Sequence, residues 1–98
     1  MNKKLRTSAV SHLFEAILTL ETEEECYAFF EDLCTVNELL SISQRFEVAC
    51  MLRRHETYLQ IAARTGASTA TISRVNRSLS YGTGGYTKIF ERIKEEEK

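Results

Sequence analysis

Apolar residues recur along this chain at three- and four-residue intervals, with polar residues between them. In "SAVSHLFEAILTL", residues 8–20, the pattern takes in Val10, Leu13, Phe14, Ile17 and Leu18. A second helical stretch, "EEECYAFFEDLC", covers 23–34. A third, "VNELLSISQRFEVACMLRR", covers 36–54 and sets Leu39, Ile42, Phe46 and Ala49 on one stripe. Three helix starts carry the spacing of a capping box: Thr22 with Glu25, Thr35 with Glu38, and Thr57 with Gln60. "YGTGG", 81–85, is a flexible break, and "YTKIFERIKEEEK" reads as a last helix with a frayed, charged end. No strand-like alternation lasts more than a few residues, and neither an internal repeat nor a second domain is visible. The pattern predicts an all-α protein of about six helices, one domain over residues 1–98.

The stretch "YLQIAARTGASTATISRVNRSL", 58–79, sets a glycine inside this regular pattern. Within a helix Gly66 would cost about 1 kcal/mol relative to alanine. The economical alternative is a helix that stops there and another that starts directly after it. Thr57 then caps a short helix running to about Thr65, with Ile61 and Ala62 inward. Gly66 ends it in the left-handed conformation, and Ser68 caps a second helix whose inward residues are Ile72, Val75 and Leu79. Two short helices joined by a three-residue turn with glycine predict a helix-turn-helix over about 57–79.

The exposed face of that second helix follows from the same spacing. Ser68, Thr69, Ala70 and Ser73 lie near its start, with Arg74 and Arg77 further along. Short polar groups followed by arginines suit a helix that lays its N-terminal part in the major groove. Arginine bonds guanine bidentately, and Ala or the Thr methyl contacts thymine. Thr57, Tyr58 and the helix N-termini are candidates for phosphate.

Composition sharpens this picture in two ways. The net charge of −1 conceals an asymmetry: residues 21–38 carry seven acidic side chains and no basic one, whereas 53–81 carry Arg53, Arg54, Arg64, Arg74 and Arg77 against Glu56. Basic charge gathered on one element is the footprint of a polyanion partner. The acidic run reads as a solvated face, or as a means of turning nucleic acid away from the wrong side. Cys26, Cys34 and Cys50 lack CxxC spacing, fall at helical apolar positions and read as reduced, buried small hydrophobes. His12 and His55 stand near no cysteine at ligand spacing, so neither a metal site nor a cofactor is expected.

Residues 33–79, "LCTVNELLSISQRFEVACMLRRHETYLQIAARTGASTATISRVNRSL", resemble the bacterial Trp repressor superfamily, above all in "TGASTATISR…NRSL". Within it they are most similar to the YerC/YecD branch of Trp-repressor-like proteins. The resemblance implies an intertwined homodimer, with the N-terminal helices of both chains in one core and a helix-turn-helix head at each end. It also implies an effector pocket. Arg45 and Arg74 fall on the two arginines that sandwich the indole of L-tryptophan in the prototype, and Thr35 and Ser78 fall near the ligand's amino and carboxylate groups. Val75 departs from the prototype's pattern, standing where the prototype has a glycine against which the indole lies. Branched methyls there argue against a tryptophan corepressor, and whether another small effector binds stays open.

The leading expectation is a sequence-specific regulator that binds double-stranded DNA as a homodimer. The alternative is a protein-interaction module that keeps the fold without operator binding; apolar docking would lack the steep salt dependence of arginine–phosphate contacts. No nucleophile–base pair, carboxylate pair or phosphate-cradling glycine loop stands at a meaningful spacing, so no enzyme is expected. No apolar run approaches the ~20 residues of a membrane span, and "MNKKLRTSAV" lacks a signal-like apolar segment. The expected location is cytoplasmic, associated with the nucleoid, with no membrane partner.

Overall fold

The computed structural model describes residues 3–93. Among them stand a short 3-10 turn, Lys3–Leu5, and six α-helices with no strand. The helices are α1 (Ser8–Ile17), α2 (Glu23–Leu33), α3 (Val36–Arg53), α4 (Tyr58–Thr65), α5 (Thr69–Tyr81) and α6 (Gly85–Ile93). The all-α class and the helix count agree with the apolar pattern. The expected frayed end of the last helix, 94–98, lies outside the described residues.

Side chains start most of these helices. Thr7 caps α1 by accepting from the Val10 amide at 3.1 Å. The box at α3 closes in both directions, Glu38 N–H to Thr35 Oγ1 at 3.0 Å and Thr35 N–H to Glu38 Oε1 at 2.9 Å. The box expected at α2 closes only in part. Thr22 Oγ1 accepts from the Glu25 amide at 3.0 Å, but Glu25 Oε1 accepts from the Glu21 amide at 2.8 Å, one residue before the cap. A glutamate carboxylate reaches either amide, and here it takes the earlier one.

The chain divides into two compact units, one ending at Leu39 and the other beginning at Leu40. The first holds α1, α2 and the start of α3. None of residues 3–39 is buried, and Phe14, Leu33 and Val36 are 56%, 49% and 75% exposed. Leu18 ends α1 as its C-cap and stands open to solvent.

The second unit has a compact core. Val48, Ala49, Cys50 and Met51 of α3 are buried together with Ile61, Ala67, Ile72, Val75 and Phe90. Four consecutive buried residues mean that this turn of α3 is covered all round, which a single stripe through Ala49 did not predict. Full burial of a side chain such as Ile61 or Ile72 stabilises the fold by about 1.5–3 kcal/mol. From α6, Phe90 stacks on Tyr86 with ring centroids 6.3 Å apart and meets Phe46 at 6.0 Å. The break before α6 is real: α5 ends at Tyr81, and a Cβ on Gly82 would collide with the Ser78 carbonyl oxygen.

The cysteines only partly follow expectation. All three are free thiols, but Cys50 alone is buried; Cys34 is half-buried and Cys26 is exposed. Position 26 shares helical spacing with the apolar residues of α2, but nothing among the described residues covers it.

Candidate nucleic-acid interface

α4 begins at a complete capping box. Gln60 N–H donates to Thr57 Oγ1 at 3.1 Å, and Thr57 N–H donates to Gln60 Oε1 at 2.8 Å. The helix turns Ile61 fully inward. It stops at Gly66, whose φ of 74° is left-handed and whose amide bonds the Ala62 carbonyl at 2.9 Å. Thr65 holds the corner from both sides, donating to the Ile61 carbonyl at 2.7 Å and accepting from the Ala67 amide at 3.1 Å. Gln44 Nε2 donates to the Thr65 carbonyl at 3.1 Å and ties the corner to α3. Ala67 tucks into the core, and Ser68 accepts from the Thr71 amide at 3.1 Å to start α5.

α5 buries Ile72 and Val75, with Leu79 half-buried against the same core. Its other face is open: Thr69, Ala70, Ser73, Arg74, Arg77 and Ser78 are all exposed. Thr57 and Tyr58, at the start of α4, are exposed as well. Two hydroxyls are partly committed. Thr57 Oγ1 already accepts a backbone bond but keeps its proton to give. Ser68 both accepts from Thr71 N–H and donates to Thr71 Oγ1, leaving little for an outside ligand.

The arginines of this unit differ in what they already engage. Glu56 accepts from Arg64 at 3.1 Å and from Arg54 at 3.4 Å, so one carboxylate engages two of the arginines. The Arg53 guanidinium lies 4.9 Å from the Phe90 ring centroid. Arg74 and Arg77 form no ion pair among the described residues, and Arg77 lies over the ring of Tyr81 at 5.8 Å.

The residues of the implied effector pocket are dispersed in kind. Arg45, Arg74 and Ser78 are exposed, whereas Val75 is 3% exposed and part of the core. Thr35 belongs to the first unit, where both its hydroxyl and its amide serve the α3 capping box. A groove of about 430 Å³ bordered by Leu52, Asn76, Leu79 and Phe90 takes in none of these residues. Neither does a second one of about 370 Å³ near Leu40, Gln44 and Arg64. Among the described residues no group of three or more His, Cys, Asp or Glu side chains gathers to hold a metal ion. No helix among them is long and apolar enough to cross a membrane.

Sequence reasoning missed His55. It sits at φ 65° just beyond α3, with its amide on the Leu52 carbonyl at 2.9 Å and the Glu56 amide on the Met51 carbonyl at 3.1 Å. That is a Schellman ending, which glycine usually provides. The turn brings the Glu56 carboxylate within reach of Arg54 and Arg64.

Fold and site together define an all-α protein with an exposed helix-turn-helix. The chain belongs to the Trp repressor family: the family model for Trp repressor protein matches residues 8–94. It is 55% identical over 94 residues to the uncharacterized protein YerC of Bacillus subtilis (strain 168), covering 96% of this chain and 90% of YerC. A TrpR-like protein from Eubacterium eligens superposes with a TM-score of 0.94 at 66% identity, over 99% of this chain and 100% of that one. The crystal structure of a Trp repressor candidate from Staphylococcus aureus gives 0.91 at 57% identity, over 96% and 94% of the two chains.

Proposed function

We propose that this protein is a sequence-specific, DNA-binding transcriptional regulator that acts as a homodimer, as one domain over residues 1–98, without tryptophan as corepressor and without enzymatic activity. The observation that carries the reading is the open face of α5. Thr69, Ala70, Ser73, Arg74 and Arg77 stand together on a rigid helix anchored through Ile72 and Val75, and no carboxylate lies on α5. Short groups near the helix start suit base edges, and the arginines suit guanine or phosphate. Thr57 and Tyr58 lie at the start of the preceding helix, where phosphate contacts fix register. The family's Trp repressor description supports the same assignment.

Dimerisation draws support from the first unit, none of whose apolar side chains among the described residues is fully buried. A partner DNA in the nucleoid implies a cytoplasmic location. The proposed sites are Thr57, Tyr58, Ser68, Thr69, Ala70, Ser73, Arg74 and Arg77 for DNA. Any effector of the second unit would meet Arg45, Arg74 and Ser78 around a filled Val75. Leu59, 83% exposed at the start of α4, is the observation that favours a protein partner instead. In vitro selection from a random duplex pool, followed by titration against salt, separates the two. A regulator enriches a defined motif, and its log K falls steeply with log salt. Failure to enrich any motif, with salt-independent capture of protein, refutes the DNA reading.

A further inference from the structure

We infer that Tyr81 is a positioning residue for the DNA interface: its ring holds the Arg77 guanidinium in place while leaving the guanidinium's hydrogen-bond donors free for DNA. The inference rests on the DNA-binding reading of α5. Arg77 and Tyr81 are four residues apart on one helix face, the spacing at which side chains meet. The Arg77 guanidinium carbon lies 5.8 Å from the Tyr81 ring centroid. Tyr81 is 81% exposed, so the ring contributes little to the core. It is also the last residue of α5, because the chain leaves the helix at Gly82, where a side chain would strike the Ser78 carbonyl oxygen.

Arg64 shows what the ring achieves by contrast. Its Nη1 donates to the Glu56 carboxylate at 3.1 Å, so its charge is offset and a donor is consumed. An aromatic face attracts a guanidinium through its quadrupole without neutralising it and without accepting its in-plane N–H groups. Arg77 therefore meets DNA with its full charge and a narrowed set of side-chain conformations. Such preorganisation raises affinity by reducing the ordering cost at binding. Of these two arginines, Arg77 is equipped to contact DNA and Arg64 to hold the corner between α3 and α4.

The test is a double-mutant cycle read by fluorescence anisotropy on a duplex selected with the wild-type protein. The proteins are wild type, Tyr81→Ala, Tyr81→Phe, Arg77→Ala and the Arg77→Ala/Tyr81→Ala pair. Tyr81→Ala is expected to weaken binding about two- to five-fold, the span of an exposed cation–π contact. Tyr81→Phe keeps the ring face and should bind like wild type. On the Arg77→Ala background, Tyr81→Ala should change nothing further. An equal loss in Tyr81→Phe would mean the hydroxyl contacts DNA directly, and a loss that persists without Arg77 would mean the ring does; either result overturns the proposal. So does an unchanged Tyr81→Ala beside a weakened Arg77→Ala. Loss of the whole α5 reading looks different: Arg77→Ala itself would then bind as tightly as wild type. Melting curves of the variants, matched in concentration, guard against unfolding as the cause.

Discussion

Tryptophan should not be this protein's effector, and Val75 is where that expectation is most directly tested. Val75 is 3% exposed and packed with Ile61, Ile72 and Phe90, so nothing outside the chain can lie against it as it stands. Seating an indole there demands overpacking of a filled site, which costs typically ~1–3 kcal/mol. That lowers affinity by about one to two decades, since each 1.4 kcal/mol is tenfold. The variant has to be chosen with the core in mind. Val75→Gly loses about 1.5–3 kcal/mol of burial and roughly 0.5 kcal/mol of helix propensity, since valine already lies below alanine. Together these are a large part of a total stability of roughly 5–15 kcal/mol. Val75→Ala is gentler, removing two methyl groups at roughly 0.8 kcal/mol each without disturbing the helix. Calorimetric titration of L-tryptophan into wild type, Val75→Ala and Val75→Gly, each first shown to be folded, should give no heat of binding for wild type at sub-millimolar ligand. Any gain should grow in the order valine, alanine, glycine. Micromolar binding by the wild type, with tighter DNA binding in its presence, would refute the reasoning and reinstate a corepressor.

Three other outcomes are expected. Arg77→Ala should cost ~1–3 kcal/mol of DNA affinity and relax the site preference if Arg77 bonds a base; if it bonds phosphate, the loss is uniform across sequences and the salt slope shrinks by about one. The melting temperature should rise with protein concentration, because folding of the first unit is linked to the proposed dimerisation; a concentration-independent value together with a monomer in sedimentation would contradict the dimer. Gly66→Ala meets no atom within 4 Å of the new Cβ, so its cost is torsional. The left-handed conformation costs about 1–2 kcal/mol, offset by about 0.4–1 kcal/mol from a stiffer unfolded chain, and a calorimetric melt at fixed concentration should fall by a few degrees.

The helix-turn-helix was legible because each part rests on local chemistry. A threonine and a glutamine three apart close a box, a glycine takes positive φ, a serine caps, and residues 61, 72 and 75 share the inner face. The α3 ending was not legible, since a histidine does there what glycine usually does. Nor was the fully covered turn Val48–Met51, because burial on every side erases the periodicity by which a helix face is recognised. Charge was legible in sign and amount, but not in which arginines it leaves open. A count of arginines cannot say that Glu56 would meet both Arg54 and Arg64, because that contact depends on how the chain turns at His55. The open face of α5 followed from spacing alone, but the ring of Tyr81 beside Arg77 requires side-chain conformations that spacing does not supply.

The first unit ties the proposed activity to assembly. α1 and α2 have 10 and 11 residues, a length at which isolated helices are marginal in water. No residue from 3 to 39 is buried, so intrachain packing supplies little of the missing stability. Capping by Thr7, Thr22 and Thr35 contributes about 1 kcal/mol each, too little to hold three helix starts in place without a core. Burial of Phe14, Leu33 and Val36 against a second chain would supply what is lacking. On the proposed dimer, folding of this unit and dimerisation are then one event, and two copies of α5 become available to DNA together. Each head alone offers a face carrying Arg74 and Arg77, a weak and salt-sensitive grip. Two heads on one duplex convert the second contact into an intramolecular one, which raises affinity without any new contact. Dilution below the dimer's dissociation constant should therefore abolish tight DNA binding and the helicity of residues 8–39 over the same concentration range.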